Sequence, residues 1–201
     1  TRFFHNFGVH GKTHVTFRHL LAHCSGLPAW RPYWKEIVGI ERTGRLNFIA
    51  SRGAKEFVYE QIHRERSEYE TGTRAVYSDL GFMLLGFLVA ARGGAPLSEQ
   101  FDRLIDPLLP AVQRATGDAA WLTFDMPSAA RRAAAPTLPL DDDHRRGRTL
   151  VGEVHDNYAA AIGGAAGHAG LFGTVSGVAA FACTVLGAAR GDSDAPPPFT
   201  P

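Results

Sequence analysis

A mainly helical domain is the fold class this sequence predicts, and three observations carry that reading. Leu80 to Arg92, "LGFMLLGFLVAAR", is an almost wholly apolar run closed by Gly93-Gly94, the pattern of a buried helix with a glycine stop. Phe101, Leu104, Ile105 and Leu108 fall at i, i+3, i+4 and i+7 and share one helix face. Alternating strand patterns are scarce along the rest of the chain.

The other elements follow in order. Thr16 is the expected N-cap of a short helix from Phe17 to His23, stopped by Ser25-Gly26 and Pro28. Residues 29–46 mix Trp, Pro, Tyr and Gly without a clear period and predict a long loop with a helical piece. Phe48, Ile49, Phe57, Val58 and Ile62 predict a helix from Asn47 to His63, interrupted near Gly53. Ser98 is the expected cap of the Phe101–Leu108 helix, and Asp106-Pro107 begins its end. Residues 111–150 hold Pro127, Pro136, Pro139 and the charge run "DDDHRRGR", which suit an irregular, exposed connection. Thr174 is the expected cap of a last helix whose Val178, Phe181, Ala182, Val185 and Leu186 make one apolar face. No internal repeat is visible.

Composition narrows the function classes. The 201 residues carry 21 Lys and Arg against 20 Asp and Glu, a balance that builds no field for nucleic acid or an anionic membrane. The longest apolar run, "FMLLGFLVAA", is too short to cross a bilayer. The chain opens on Thr1, shows no signal-peptide pattern and closes on "DSDAPPPFTP". Both ends are expected to be cut. Residues 1–190 are expected to form one partial domain and 191–201 a Pro-rich tail. Cys24 and Cys183 lie far apart without a Cys-x-x-Cys neighbour and are expected to be buried thiols.

Several groups could carry chemistry. His19 and His23 stand at i, i+4 in "HLLAH", a spacing that could hold a metal on one helix face. A zinc hydrolase of that type needs Glu after the first His, and Leu20 stands there. Ser25 lacks the G-x-S-x-G elbow and suits a turn better than a nucleophile. His168 sits among glycines in "GGAAGHAGLFGT", which fits neither phosphate-loop pattern and reads as a tight loop. His155-Asp156 are adjacent, which rarely lets two side chains act as a pair. Tyr77-Ser78-Asp79 is a polar step on the lip of the buried helix. Read on its own, it is a helix cap with Asp79 or Ser78 as the capping residue and Tyr77 packed beside it.

Three segments, in order, resemble the penicillin-recognising serine hydrolases of the class C β-lactamase and DD-peptidase branch. "VTFRHLLAHCSGLP" (15–28) resembles that branch's "T-x-R-H-L-L-T-H-T-S-G-L". "YETGTRAVYSDLGFMLLG" (69–86) resembles "P-G-x-x-x-x-Y-S-N-x-G-Y-x-L-L-G", with Thr71 where proline is usual. "GEVHDNYAAAIGGAAGHAGLFGTVSGVAAFA" (152–182) is similar to "V-H-D-E-N-A-x-x-x-G-G-x-A-G-H-A-G-L-F-x-T".

The resemblance implies a helical subdomain of a fold in which helices pack on an antiparallel sheet, with that sheet largely missing from this chain. It implies an acyl-serine hydrolase of esters, peptides or β-lactam amides, without a cofactor or metal. The serine comes from an S-x-x-K motif, and the lysine and the tyrosine of Y-x-N manage its proton. Tyr77 takes the tyrosine position and is the expected proton shuttle; a phenol needs nearby positive charge to act at neutral pH. Asp79 stands where asparagine is usual and is the expected partner of the lysine; as a carboxylate it accepts hydrogen bonds but cannot donate them. His168 is expected at the rim of the substrate pocket. His168-Ala169-Gly170 matches the family's H-x-G in letters, yet leads into a helix pattern rather than a strand. No S-x-x-K and no K-T-G occurs; Ser128 gives S-x-x-R and "GKTH" at 11–14 has the wrong third residue. The missing motifs are expected upstream of Thr1 and beyond Pro201, and the 201 residues alone are expected to be inactive. The expected partner is a small-molecule or peptide substrate in an extracytoplasmic compartment, the latter on resemblance alone. Two alternatives stand beside this: a non-catalytic binding or scaffold module of the same fold, and a metal-dependent hydrolase using His19 and His23.

Overall fold

A computed structural model describes residues 3, 7–117 and 119–191, apart from the side chains of 111, 112, 115 and 116. The Pro-rich stretch from 192 onward lies outside the described residues. In chain order the elements are α1 (Phe17–Leu21), α2 (Tyr33–Arg42), α3 (Arg52–Arg64), α4 (Asp79–Gly93), α5 (Leu97–Ile105), α6 (Leu109–Thr116), β1 (Leu122–Thr123), α7 (Ser128–Arg131), α8 (Asn157–Ala161), β2 (Phe172–Gly173) and α9 (Val175–Arg190). The chain is mainly helical, as its sequence predicts, and divides into two compact units.

The first unit comprises residues 1–97 and 128–170. Its core joins Leu20, Leu27, Trp34, Ile37, Val58, Ile62, Leu80, Met83, Leu84 and Tyr158. Thr16 caps α1 in a capping box with His19: its hydroxyl accepts the His19 N–H while the His19 ring accepts the Thr16 N–H. The helix ends at Leu21, and His23 has already turned into the left-handed region at φ 55. Helix α2 is the helical piece expected within the 29–46 loop. Tyr33, Trp34, Ile37 and Val38 are buried on one face, a stripe that the flanking prolines and aromatic residues disguise. Helix α3 starts after Ser51, whose hydroxyl accepts the Ala54 N–H. Gly53 therefore lies in its first turn instead of interrupting it. A Cβ there would come within 2.8 Å of the Phe48 ring, so the glycine makes room for that ring.

Lys12 is wholly buried and donates to the carbonyls of His63, at 2.9 Å, and Glu65, at the C-terminal end of α3. A cation there satisfies orphan carbonyls and meets the negative end of the helix dipole. Burial pushes its ammonium below the usual lysine range, against the pull of Glu65.

The second unit comprises residues 98–127 and those from 171 onward. Ile105, Leu108, Leu109, Ala120, Leu122 and Ala180 form its core. Ser98 lies inside the first turn of α5 and is buried, so it is not the cap the sequence suggests. Helix α6 is a further departure from the irregular 111–150 reading. Pro110 falls in its first turn, where a missing N–H costs nothing. Strands β1 and β2 pair antiparallel, Leu122 opposite Gly173 and Thr123 opposite Phe172.

Thr174 caps α9 as expected, accepting the Gly177 N–H. Of the expected face, Phe181 packs partly buried against the core beside the buried Gly177 and Ala180, while Val178, Val185 and Leu186 stand exposed. Small residues win the interface because the helix lies close to the backbone of Trp121; a Cβ on Gly177 would meet the Trp121 carbonyl oxygen at 2.3 Å. Cys24 is half-buried and Cys183 exposed, both free, so only the first approaches the expected buried thiol. No single helix among the described residues is long and apolar enough to cross a membrane.

Candidate active site

The Tyr77-Ser78-Asp79 step is fastened by its neighbours before any chemistry begins. The turn after α1 and the segment 68–76 exchange backbone hydrogen bonds: Glu68 N–H to Gly26 O at 2.9 Å, Gly72 N–H to Cys24 O at 2.9 Å and Val76 N–H to His23 O at 2.8 Å. Ser25 is buried and its hydroxyl accepts the Leu27 N–H, the turn role its setting suggests.

Ser78 is the N-cap of α4. Its hydroxyl accepts the Gly81 N–H at 3.3 Å and donates to Pro28 O at 2.7 Å. Asp79 is the first helical residue, where a carboxylate meets the positive end of the helix dipole, and its N–H donates to Ala29 O at 3.1 Å. Because the backbone before α4 is extended, successive side chains alternate: Ser78 turns inward and Tyr77 outward, 68% exposed.

The groups around this step are acidic and aromatic. The Asp79 charge is the first cause that raises the Tyr77 phenol above its usual range, followed by burial, a hydrogen bond with the Asp79 side chain and the charge of Asp156. Burial raises the Asp79 carboxyl, opposed by the charge of His168 and reinforced by Asp156. Asp156 caps α8 through a 2.7 Å bond from the Ala159 N–H and faces His168 Nε2 at 3.2 Å. Burial works to raise the Asp156 carboxyl, but His168 and the Ala159 amide together carry it below the usual range. The His168 side chain is 3% exposed and its Nδ1 has no hydrogen-bond partner.

A close backbone contact brings His168 to this place. A Cβ on Gly167 would lie 2.0 Å from the Phe82 carbonyl oxygen, and one on Gly86 2.8 Å from the Gly167 nitrogen. Only glycine at both positions lets the loop carrying His168 lie against α4. Tyr158 stands edge-on to the His168 ring; its hydroxyl accepts the Tyr33 N–H at 3.1 Å and donates to Arg31 O.

Tyr77, Asp79 and His168 thus belong to one neighbourhood, and two further residues join them that sequence reasoning did not place there. His23 stacks on Tyr77 at 4.6 Å and on Phe82 at 4.9 Å between ring centroids. Asp156 serves His168, twelve residues away, rather than its neighbour His155. The adjacent His-Asp pair was a visible signal; its true partner was not.

The metal reading of His19 and His23 loses its footing, since His23 has left the helix and the two no longer share a helical face. The Nδ1 of each accepts a backbone N–H, and no group of three or more His, Cys, Asp and Glu among the described residues could hold a metal. His168-Ala169-Gly170 lies in a loop rather than on a strand.

A mainly helical chain with a Tyr-x-Asp step at the head of its most apolar helix fits the class of serine hydrolases whose helices pack on an antiparallel sheet. The Beta-lactamase family profile matches residues 1–198, and the chain belongs to that family of serine hydrolases. It is 30% identical over 195 residues to a putative D-alanyl-D-alanine carboxypeptidase of Escherichia coli K12, covering 92% of this chain and 42% of that protein. It is 28% identical over 179 residues to an N-acetylmuramyl-L-alanine amidase of Bacillus subtilis 168, covering 85% of this chain and 38% of that protein. The chain therefore spans about two fifths of these relatives' length. A solved structure of a β-lactamase/D-alanine carboxypeptidase from Pseudomonas syringae shares the fold, with TM-score 0.56 at 16% identity over 92% of this chain and 42% of that one.

Proposed function

We propose that this chain supplies the tyrosine side of an acyl-serine hydrolase site whose serine and lysine lie on another segment. The observation that carries the reading is the presentation of Tyr77: an exposed phenol on a step pinned at Ser78 and Asp79, at the head of α4. A fixed backbone with an accessible reacting group, its hydroxyl bonded to Asp79, is what a proton carrier needs.

In the whole protein the serine Oγ attacks the acyl carbon and its proton passes to the Tyr77 phenolate oxygen. The same proton then goes to the leaving nitrogen or oxygen, and water repeats the sequence to free the acyl group. With Asp79 and Asp156 raising its phenol, Tyr77 needs a cation beside it to reach the phenolate, and the S-x-x-K lysine is the group suited to supply it. Asp79 would hold that ammonium, and His168 would border the substrate. Among ester, peptide and β-lactam substrates, the relatives' names, which refer to D-alanyl-D-alanine and N-acetylmuramyl-L-alanine, favour a peptide amide, while Asp79, which cannot donate to an acylamide carbonyl, points to a specialised peptidase or an esterase.

The test uses a fluorescent penicillin as an acylating probe, with peptide mapping of the adduct. The complete protein is expected to carry the label on a serine outside residues 1–201, and the 201-residue chain to turn over neither nitrocefin nor p-nitrophenyl acetate. A label on Ser25 or any other serine of this chain, or steady turnover by the chain alone, would sink the reading.

A further inference from the structure

His23 is the residue whose geometry goes furthest beyond this account. It follows α1 in the left-handed region at φ 55, and its carbonyl accepts the Val76 N–H at 2.8 Å and the Tyr69 hydroxyl at 3.2 Å. Those bonds set its side chain against the Tyr-Ser-Asp step. Its Nδ1 accepts the Ser78 backbone N–H at 3.0 Å, and its ring packs tilted against Tyr77 and stacks on Phe82. The amide it holds is that of the Tyr77–Ser78 peptide bond, the bond that aims the phenol.

We propose that His23 is the positioning residue of Tyr77: its Nδ1 accepts the Ser78 N–H and so fixes the peptide bond that carries the phenol. The inference rests on the reading of Tyr77 as the proton carrier. A backbone amide only donates, so this bond exists only while Nδ1 carries no proton; the neutral ring keeps its hydrogen on Nε2. The ring also contacts Tyr77 and Phe82, and the Tyr69 hydroxyl reaches the His23 carbonyl.

Two substitutions separate the acceptor from backbone strain. Asparagine and glycine both tolerate φ near +55, but only asparagine offers an oxygen to the Ser78 amide, and it does not titrate. In the complete protein His23→Gly is expected to lower kcat by about 100-fold with KM held within about twofold. His23→Asn is expected to recover most of kcat. Nitrogen NMR is expected to show the ring hydrogen on Nε2, with Nδ1 accepting the Ser78 amide. Equal kcat in the two variants, or a ring hydrogen on Nδ1, would each overturn the proposal. Should Tyr77→Phe keep full turnover, the reading of Tyr77 falls and takes the catalytic role of His23 with it. The NMR result depends on the ring–amide bond alone, so the two failures are told apart.

Discussion

At the scale of single residues, Asp79 sets the electrostatics of the step. It is half-buried and its carboxylate faces the Tyr77 phenol, raising it, while burial raises its own carboxyl. Asp79→Asn removes that anion, so the phenol should titrate at lower pH, which absorbance near 295 nm or tyrosine carbon NMR would follow. The same change bears on stability. A carboxyl raised on folding opposes the folded state once pH climbs through its folded value and is harmless below its unfolded one. Asp79→Asn should therefore raise Tm at pH 7 and leave it nearly unchanged at pH 3. Asp156 has the opposite sign: its carboxyl is lowered on folding, so its contribution holds above the unfolded value and is lost as pH falls through the folded one. Ser78→Ala, which strips the cap of α4 and the bond to Pro28, should cost about 1–2 kcal/mol in denaturant unfolding. The Tyr-Ser-Asp step was visible in the sequence, yet read alone it could not say which residue capped. The structure separates the duties: Ser78 caps, and Asp79 is left facing Tyr77.

At the scale of elements, strong periodicity and plain caps were legible and close approaches were not. Helix α4 was readable because it is apolar nearly all round and ends on glycine, and the caps at Thr16 and Thr174 needed only local chemistry. Helix α6 was hidden by a proline just inside its start, a position a helix tolerates, and the prolines beside α2 masked the bounds of the helical piece expected there. The buried face of α9 was misjudged because periodicity weighs large apolar residues, whereas this helix packs through Gly177 and Ala180. Two contrasts test these points. Gly167→Ala drives a methyl into the Phe82 carbonyl and should cost about 3 kcal/mol, with the His168 ring resonances displaced. Val178→Lys, on the exposed stripe of α9, should stay within about 0.5 kcal/mol of wild type by denaturant unfolding. Ala180→Lys, in the core, should unfold its unit.

At the scale of the whole molecule, the chain is two compact helical units and about two fifths of the length of the relatives it matches. The residues around Tyr77 come from three separated stretches, His23, Tyr77 to Phe82, and Asp156 to His168. The sequence displayed each stretch, but their convergence depends on the Gly86–Gly167 contact and the His23–Ser78 bond, which leave no periodic trace. No S-x-x-K occurs in the 201 residues, so the task proposed for Tyr77, carrying the proton of the acylating serine, needs groups from elsewhere. The most direct measurement is kcat/KM of the complete protein and of its Tyr77→Phe variant on a D-alanyl-D-alanine peptide, with folding checked by Tm. A loss of about 100- to 10,000-fold at unchanged Tm is expected; full turnover without the Tyr77 hydroxyl would contradict the proton-carrier role.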